Sequence, residues 1–145
     1  MIQLIDDQLL SDFLRGAPPP RPDGEVFTTG YWYVRLCQAV LGASSRTGVL
    51  SGPFAALSKA DRERATRSLL ELPDSIGLLS LRDLAPTIGR LRHRHELNIL
   101  GMEALAAASE LQADVYLSAP SPRLEAALTT ETLRVEVSGG GRPSG

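Results

Sequence analysis

The sequence is poor in residues that mark several classes of protein. Cys37 is the only cysteine, which excludes an intramolecular disulfide and a cysteine-rich zinc site. Lys59 is the only lysine, and this near-absence is more typical of a GC-rich coding sequence than of a binding signal. No apolar run approaches the ~20 residues that a membrane span needs, so we expect no membrane partner.

The net charge of the chain is also small. The formal net charge of −2 gives no overall attraction to nucleic acid or to an anionic membrane. The first residues lack a basic region before their apolar segment, and two acids follow that segment at once, which argues against a secretory signal. We therefore expect a cytoplasmic protein. Its 145 residues, 43% of them hydrophobic, suffice for one domain with a real core.

Short apolar segments alternate with segments of helical periodicity along the chain. Strands are predicted at 2–5, 25–28, 75–79, 114–117 and 133–137, and the main helices at 9–14, 31–41, 58–72, 81–91, 98–111 and 122–128. Pro86 lies within one helical segment, so either that helix is continuous or a new helix begins at the proline. The alternation predicts an α/β domain over 1–137, with helices on both faces of a central, mainly parallel sheet of about five strands. Residues 138–145 are predicted to form a flexible tail.

Two adjacent acids, Asp6 and Asp7, stand at the end of the first predicted strand, in the stretch LIDDQLLSDFLRG. Ligands of parallel α/β sheets bind at the carboxyl ends of the strands, so this position is a candidate site. The same residues are good caps for the helix that follows. The sequence leaves both interpretations open, a helix cap or a metal-binding pair.

The stretch LIDDQLLSDFLRG resembles the opening of the PIN domain, the fold of the VapC toxin ribonucleases. The later stretches LPDSIGLLSL and LRHRHELNILGMEALAAASELQADVYLSA resemble the second half of that family, in which an acid opens an Ala-rich helix. The resemblance spans about residues 2–137 and implies a three-layer sandwich. It also implies a Mg²⁺ or Mn²⁺ ion held by Asp6, Asp7 and Glu103, and RNA cleavage with Asp6 and Glu103 as catalytic residues. Outside such a site, Glu103 is an ordinary solvated helix residue.

The sequence departs from the family pattern at two further acids. Arg35 stands closest to the position of the family's central Glu, and the turn after DVYL offers Ser118 and Ala119 with no acid. A guanidinium suits carboxylates as a partner and repels Mg²⁺, by on the order of several kcal/mol at an effective dielectric of ~20. One hypothesis is therefore that Arg35 neutralises the acidic cluster in place of a metal. The alternative is a plain surface arginine.

The run from Arg90 through Arg92 to Arg94 is locally basic. It is either an RNA contact or a solvated charged face. Together these observations predict a divergent PIN-like protein, with weakened or lost ribonuclease activity, that acts by binding RNA or a protein. A second copy of the chain is one candidate partner. The alternative is an active Mg²⁺-dependent endoribonuclease, the toxin of a toxin–antitoxin pair with an antitoxin as its partner.

Overall fold

A computed structural model describes residues 1–42 and 48–138. Five parallel strands form one sheet, so the predicted α/β architecture with a central parallel sheet is confirmed. The strands are β1 (Ile2–Ile5), β2 (Glu25–Thr28), β3 (Ile76–Leu78), β4 (Asp114–Leu117) and β5 (Val135–Val137). Of the predicted tail, residues 139–145 lie outside the described part of the chain.

Seven helices flank the sheet within the described ranges. They are α1 (Asp7–Leu14), α2 (Gly30–Leu41), α3 (Gly52–Ala55), α4 (Lys59–Leu70), α5 (Leu81–Leu91), α6 (Ile99–Leu111) and α7 (Pro122–Thr130). None of the helices within 1–42 and 48–138 is long and apolar enough to cross a membrane.

The strand order β3-β2-β1-β4-β5 places β1 at the centre of the sheet. Leu4 of β1 pairs with Phe27 of β2 on one side and with Val115 of β4 on the other. The chain builds outward from β1 in one direction through β2 and β3, and later in the other direction through β4 and β5. The carboxyl ends of β1 and β4 therefore flank the switch point, where parallel α/β sheets characteristically form a binding crevice.

Alternate residues of β1 enter two separate cores, one on each face of the sheet. Leu4 belongs to a cluster with Leu105 of α6 and Leu128 of α7, all fully buried. Ile5 belongs to the opposite cluster, which takes Leu10 from α1 and Leu36 from α2. A sheet buried on both faces by helices is a three-layer sandwich.

The helix that contains Pro86 is continuous from Leu81 to Leu91. Of the two interpretations of this segment, a helix that begins at Pro86 is wrong. The helix begins earlier because the hydroxyl of Ser80 accepts a hydrogen bond from the backbone N–H of Asp83, 3.3 Å away. Pro86 is exposed, so water can bind the Arg82 carbonyl that a proline leaves without its intrahelical donor.

Candidate functional site

A cavity of about 310 Å³ lies at the carboxyl ends of β1 and β4, and we name it the acidic pocket. Its polar lining residues are Asp6, Asp7, Gln8, Arg35, Ser118 and Ser121. Apolar walls come from several elements, among them Trp32 of α2, Leu100 of α6 and Leu124 of α7. Two carboxylates therefore open into a cavity with apolar walls, a setting in which their charges interact strongly.

Asp6 joins three elements at the floor of the acidic pocket. One carboxylate oxygen, Oδ1, accepts a hydrogen bond from the backbone N–H of Leu9 at 3.0 Å and so caps α1. The other oxygen, Oδ2, accepts hydrogen bonds from the backbone N–H and the hydroxyl of Ser118, each at 2.7 Å. The cap interpretation is thus correct for Asp6, and its carboxylate also ties the end of β1 to the turn after β4.

Asp7 and Arg35 form an ion pair at the rim of this pocket. The Nε atom of Arg35 lies 3.3 Å from Oδ2 of Asp7, while Oδ1 of Asp7 accepts the backbone N–H of Gln8 at 2.8 Å. The side chain of Asp7 is only 11% exposed, against 56% for Arg35. Within the described ranges, no ion pair joins Arg35 to Asp6 or to Glu103.

The Arg35 guanidinium does not fully compensate the acid pair. Burial raises the pKa of the Asp7 carboxyl, the neighbouring charge of Asp6 raises it further, and Arg35 opposes both effects. The raised pKa means that the pocket disfavours a second negative charge. Two carboxylates and one guanidinium leave the pocket with an excess of negative charge when both acids are ionised.

Glu103 is fully buried on α6, so the solvated interpretation of this residue is wrong. Its Oε2 accepts the backbone N–H of Gly30 at 3.0 Å and its Oε1 that of Tyr31 at 2.8 Å, at the start of α2. The hydroxyl of Thr29 accepts the next free N–H, that of Trp32, at 3.1 Å. Glu103 therefore caps α2 from a distant helix, where the positive end of the helix dipole stabilises its charge.

The residues proposed as metal ligands do not come together as one donor set. Glu103 is not among the residues that line the acidic pocket. Within 1–42 and 48–138, no group of three or more His, Cys, Asp or Glu side chains is arranged to hold a metal ion. Mg²⁺ and Mn²⁺ require a nearly complete shell of oxygen ligands. Two carboxylates, one of them paired with a guanidinium, fit such an ion poorly.

The three arginines proposed as RNA contacts are not among the residues that line the acidic pocket, and each has a partner within the chain. Arg90 donates to the hydroxyl of Thr87 at 3.0 Å, and Arg92 to the backbone carbonyl of Leu97 at 2.7 Å. Arg94 donates to both oxygens of Glu131, at 3.2 and 3.1 Å. RNA contact by these residues stays a prediction.

Sequence reasoning missed the role of Ser118. In the sequence, the turn after β4 stands out because it contains no acid. In the structure, the hydroxyl and the backbone N–H of Ser118 in that turn donate hydrogen bonds to Asp6, 112 residues away. Only the adjacency of β1 and β4 brings these groups together. The signal available in the sequence was the position itself, a hydroxyl residue directly after a strand.

The fold and the site define a parallel α/β protein with an acidic pocket at the switch point of its sheet. No protein-family model matches the chain, and no curated protein matches it with significant similarity. The chemistry of the pocket follows from its own residues. The site can accept hydrogen bonds from a ligand, its carboxylates attract a positively charged group, and its walls offer apolar contacts.

Proposed function

We propose that this protein is a divergent PIN-like domain that acts by binding a protein or RNA and has weakened or lost metal-dependent ribonuclease activity. The observation that carries the proposal is the ion pair between Arg35 and Asp7. A guanidinium at this position occupies an acidic oxygen and repels a divalent cation. The use of Glu103 as a helix cap supports the same conclusion, because it removes a third carboxylate from the pocket.

Charge favours a protein over RNA as the occupant of the acidic pocket itself. A phosphodiester brings negative charge to a cavity that already holds Asp6 and Asp7, and without a bridging metal ion the two repel each other. The helix that carries Arg35, α2, also exposes the apolar residues Val34 and Leu41, with 47% and 46% of each residue accessible. Exposed apolar side chains of this kind suit a protein contact better than an RNA contact.

An active Mg²⁺-dependent endoribonuclease, the toxin of a toxin–antitoxin pair, is the second candidate. The observation in its favour is the mutual repulsion of Asp6 and Asp7, which contributes to the raised pKa of Asp7. A cation would relieve that repulsion, and acids held at the ends of parallel strands are well placed to meet a substrate. In this alternative, Asp6 and Asp7 are the residues that hold the metal.

A cleavage assay separates the two candidates. The full chain is incubated with structured RNA in Mg²⁺ or Mn²⁺, beside Asp6→Asn and a matched control, Asp12→Asn, whose side chain lies on the same helix outside the acidic pocket and is 43% exposed. We expect no metal-dependent cleavage by the unaltered protein above the level of Asp6→Asn. Cleavage that persists in Asp12→Asn but disappears in Asp6→Asn and with a chelator would establish the active nuclease instead.

A further inference from the structure

The last strand, β5, forms an open edge of the sheet. Within the described part of the chain, its only strand neighbour is β4. The backbone C=O of Arg134 accepts a hydrogen bond from β4 at 2.9 Å, and the backbone N–H of Ser138 donates one to β4 at 2.8 Å. Because successive residues of a paired strand direct their backbone groups to alternate sides, those of Val135 and Val137 point away from β4. Such an edge is a template for one further strand.

The side chains of this edge alternate between charged and apolar. Arg134 and Glu136 are exposed, whereas Val135 and Val137 are half-buried and pack against the core that α6 and α7 cover. None of the ion pairs within the described ranges includes Arg134 or Glu136. The edge therefore presents one cation and one anion, two residues apart, beside its open backbone groups.

This pattern is complementary to itself. In an antiparallel pair of β5 strands centred on Val135, Arg134 of each copy lies opposite Glu136 of the other. Opposite charges directly across an antiparallel pair attract each other, and two-fold symmetry forms the contact twice. The Val135 residues of the two copies would exchange their N–H and C=O groups in two hydrogen bonds. Leu133 would face Val137 on the apolar side.

The charges also select this register and this edge. A pair centred on Glu136 would set two carboxylates opposite each other, and like charges in that position repel. The strand at the opposite edge, β3 (Ile76–Leu78), contains no charged residue and lacks such complementarity. A two-fold pair of β5 strands uses the same edge on both copies, so it closes without further growth.

We propose that β5 is the docking edge for a second copy of this chain, which adds in antiparallel orientation and continues the sheet across a two-fold axis. The inference goes beyond the proposed function, because β5 contributes no residue to the acidic pocket. The strand has three residues, so the interface is small and the dimer is weak, with a dissociation constant on the order of 100 µM. At the low micromolar concentrations used in spectroscopy, the chain is then a monomer.

Charge reversal with rescue tests the dimer. Sedimentation equilibrium gives the mass of the full chain in low salt from about 10 µM to about 1 mM, a range that brackets the expected dissociation constant. The variants are Arg134→Glu, Glu136→Arg and an equimolar mixture of the two. Arg62→Glu and Glu63→Arg, on exposed positions of α4, are the matched controls for net charge.

We expect the unaltered protein and both controls to pass from monomer to dimer over this range. Each β5 variant alone places like charges opposite each other, so its dimerisation should weaken at least about tenfold. The equimolar mixture should dimerise again, because each chain then meets its complement. A monomer at about 1 mM for the unaltered protein would overturn the proposal. So would a dimer of equal strength in either β5 variant, or a mixture that stays monomeric.

Discussion

The three candidate metal-binding acids have other partners in the folded protein. Asp6 caps the helix that follows it, Asp7 pairs with Arg35, and Glu103 caps a helix 73 residues away. The difference arises from the donors that the fold places near each carboxylate. A buried carboxylate requires hydrogen bonds or a cation, and here backbone N–H groups at helix starts and the Arg35 guanidinium supply them.

The capping role of Glu103 predicts a large loss of stability on a small chemical change. In Glu103→Gln, an amide group replaces one acceptor oxygen and faces a backbone N–H of Gly30 or Tyr31. We expect unfolding to become easier by about 2 kcal/mol, because a buried donor loses its acceptor. Urea denaturation measures the loss, and the exposed Glu63→Gln is its control. A loss below ~0.5 kcal/mol would contradict the cap.

The raised pKa of Asp7 predicts that replacing this residue increases the stability of the fold. A carboxyl whose pKa is higher in the folded than in the unfolded state destabilises the fold once it is ionised, above its folded pKa. We therefore expect Asp7→Asn to stabilise the protein by about 0.5 to 1 kcal/mol at pH 7, as is common for residues kept for function. The advantage should vanish below about pH 4. Equal destabilisation at both pH values would show that Asp7 is a structural residue.

At the scale of elements, local signals were sufficient for most boundaries. The strands 2–5, 25–28 and 114–117 were predicted with their observed limits, and Ser58 and Asn98 are helix caps as their side chains suggest. Each of these depends on neighbours in sequence. The cap that Glu103 provides for α2 and the bond between Asp6 and Ser118 depend on strand order, which local patterns do not contain.

The contact between α7 and the α5–α6 connection predicts a stability that depends on pH. Hydrogen bonds from Arg94 and then from His95 lower the pKa of the Glu131 carboxyl in the folded state. A lowered pKa stabilises the fold above the unfolded pKa of about 4.3, and this contribution is lost as the pH falls through the folded pKa. We expect the unaltered protein to have a higher urea midpoint than Glu131→Gln at pH 6.

The difference in midpoint between these two proteins should shrink steadily towards pH 3. The matched substitution Glu136→Gln, on an exposed residue of β5, should give a small difference that changes little with pH. A difference between the unaltered protein and Glu131→Gln that stays constant from pH 6 to pH 3 would mean that the charge of Glu131 contributes nothing.

At the scale of the whole molecule, the two cores share one sheet. Leu4 and Ile5 are adjacent in β1, yet they enter clusters on opposite faces. Neither face can lose its helices without exposing strands that also form the floor of the other core. The α/β class and the parallel sheet were predictable because alternation of strands and helices restricts the topology strongly. The hydrogen-bond partners of Asp6 and Glu103 could not be predicted, because they depend on which side chains meet across the sheet.

The shared sheet predicts that the protein unfolds in one cooperative transition. Trp32 belongs to the core that contains α6 and α7, whereas far-ultraviolet circular dichroism reports all helices together. We expect the urea curves from Trp32 fluorescence and from circular dichroism to coincide, with one midpoint and one slope, as for other small domains. Separate midpoints would show that the two faces of the sheet unfold independently.

The central claim is that the ion pair of Arg35 with Asp7 leaves the acidic pocket unsuited to a divalent metal ion. Titration calorimetry with Mn²⁺ tests it on the unaltered protein, Arg35→Gln and Arg35→Glu, with the exposed Arg62→Glu as a control for net charge. We predict weak or no binding to the unaltered protein and to Arg62→Glu. In Arg35→Glu, an added carboxylate replaces the guanidinium, and Mn²⁺ affinity should rise at least about tenfold, or ~1.4 kcal/mol. Micromolar Mn²⁺ binding by the unaltered protein, unchanged in Arg35→Glu, would contradict the account.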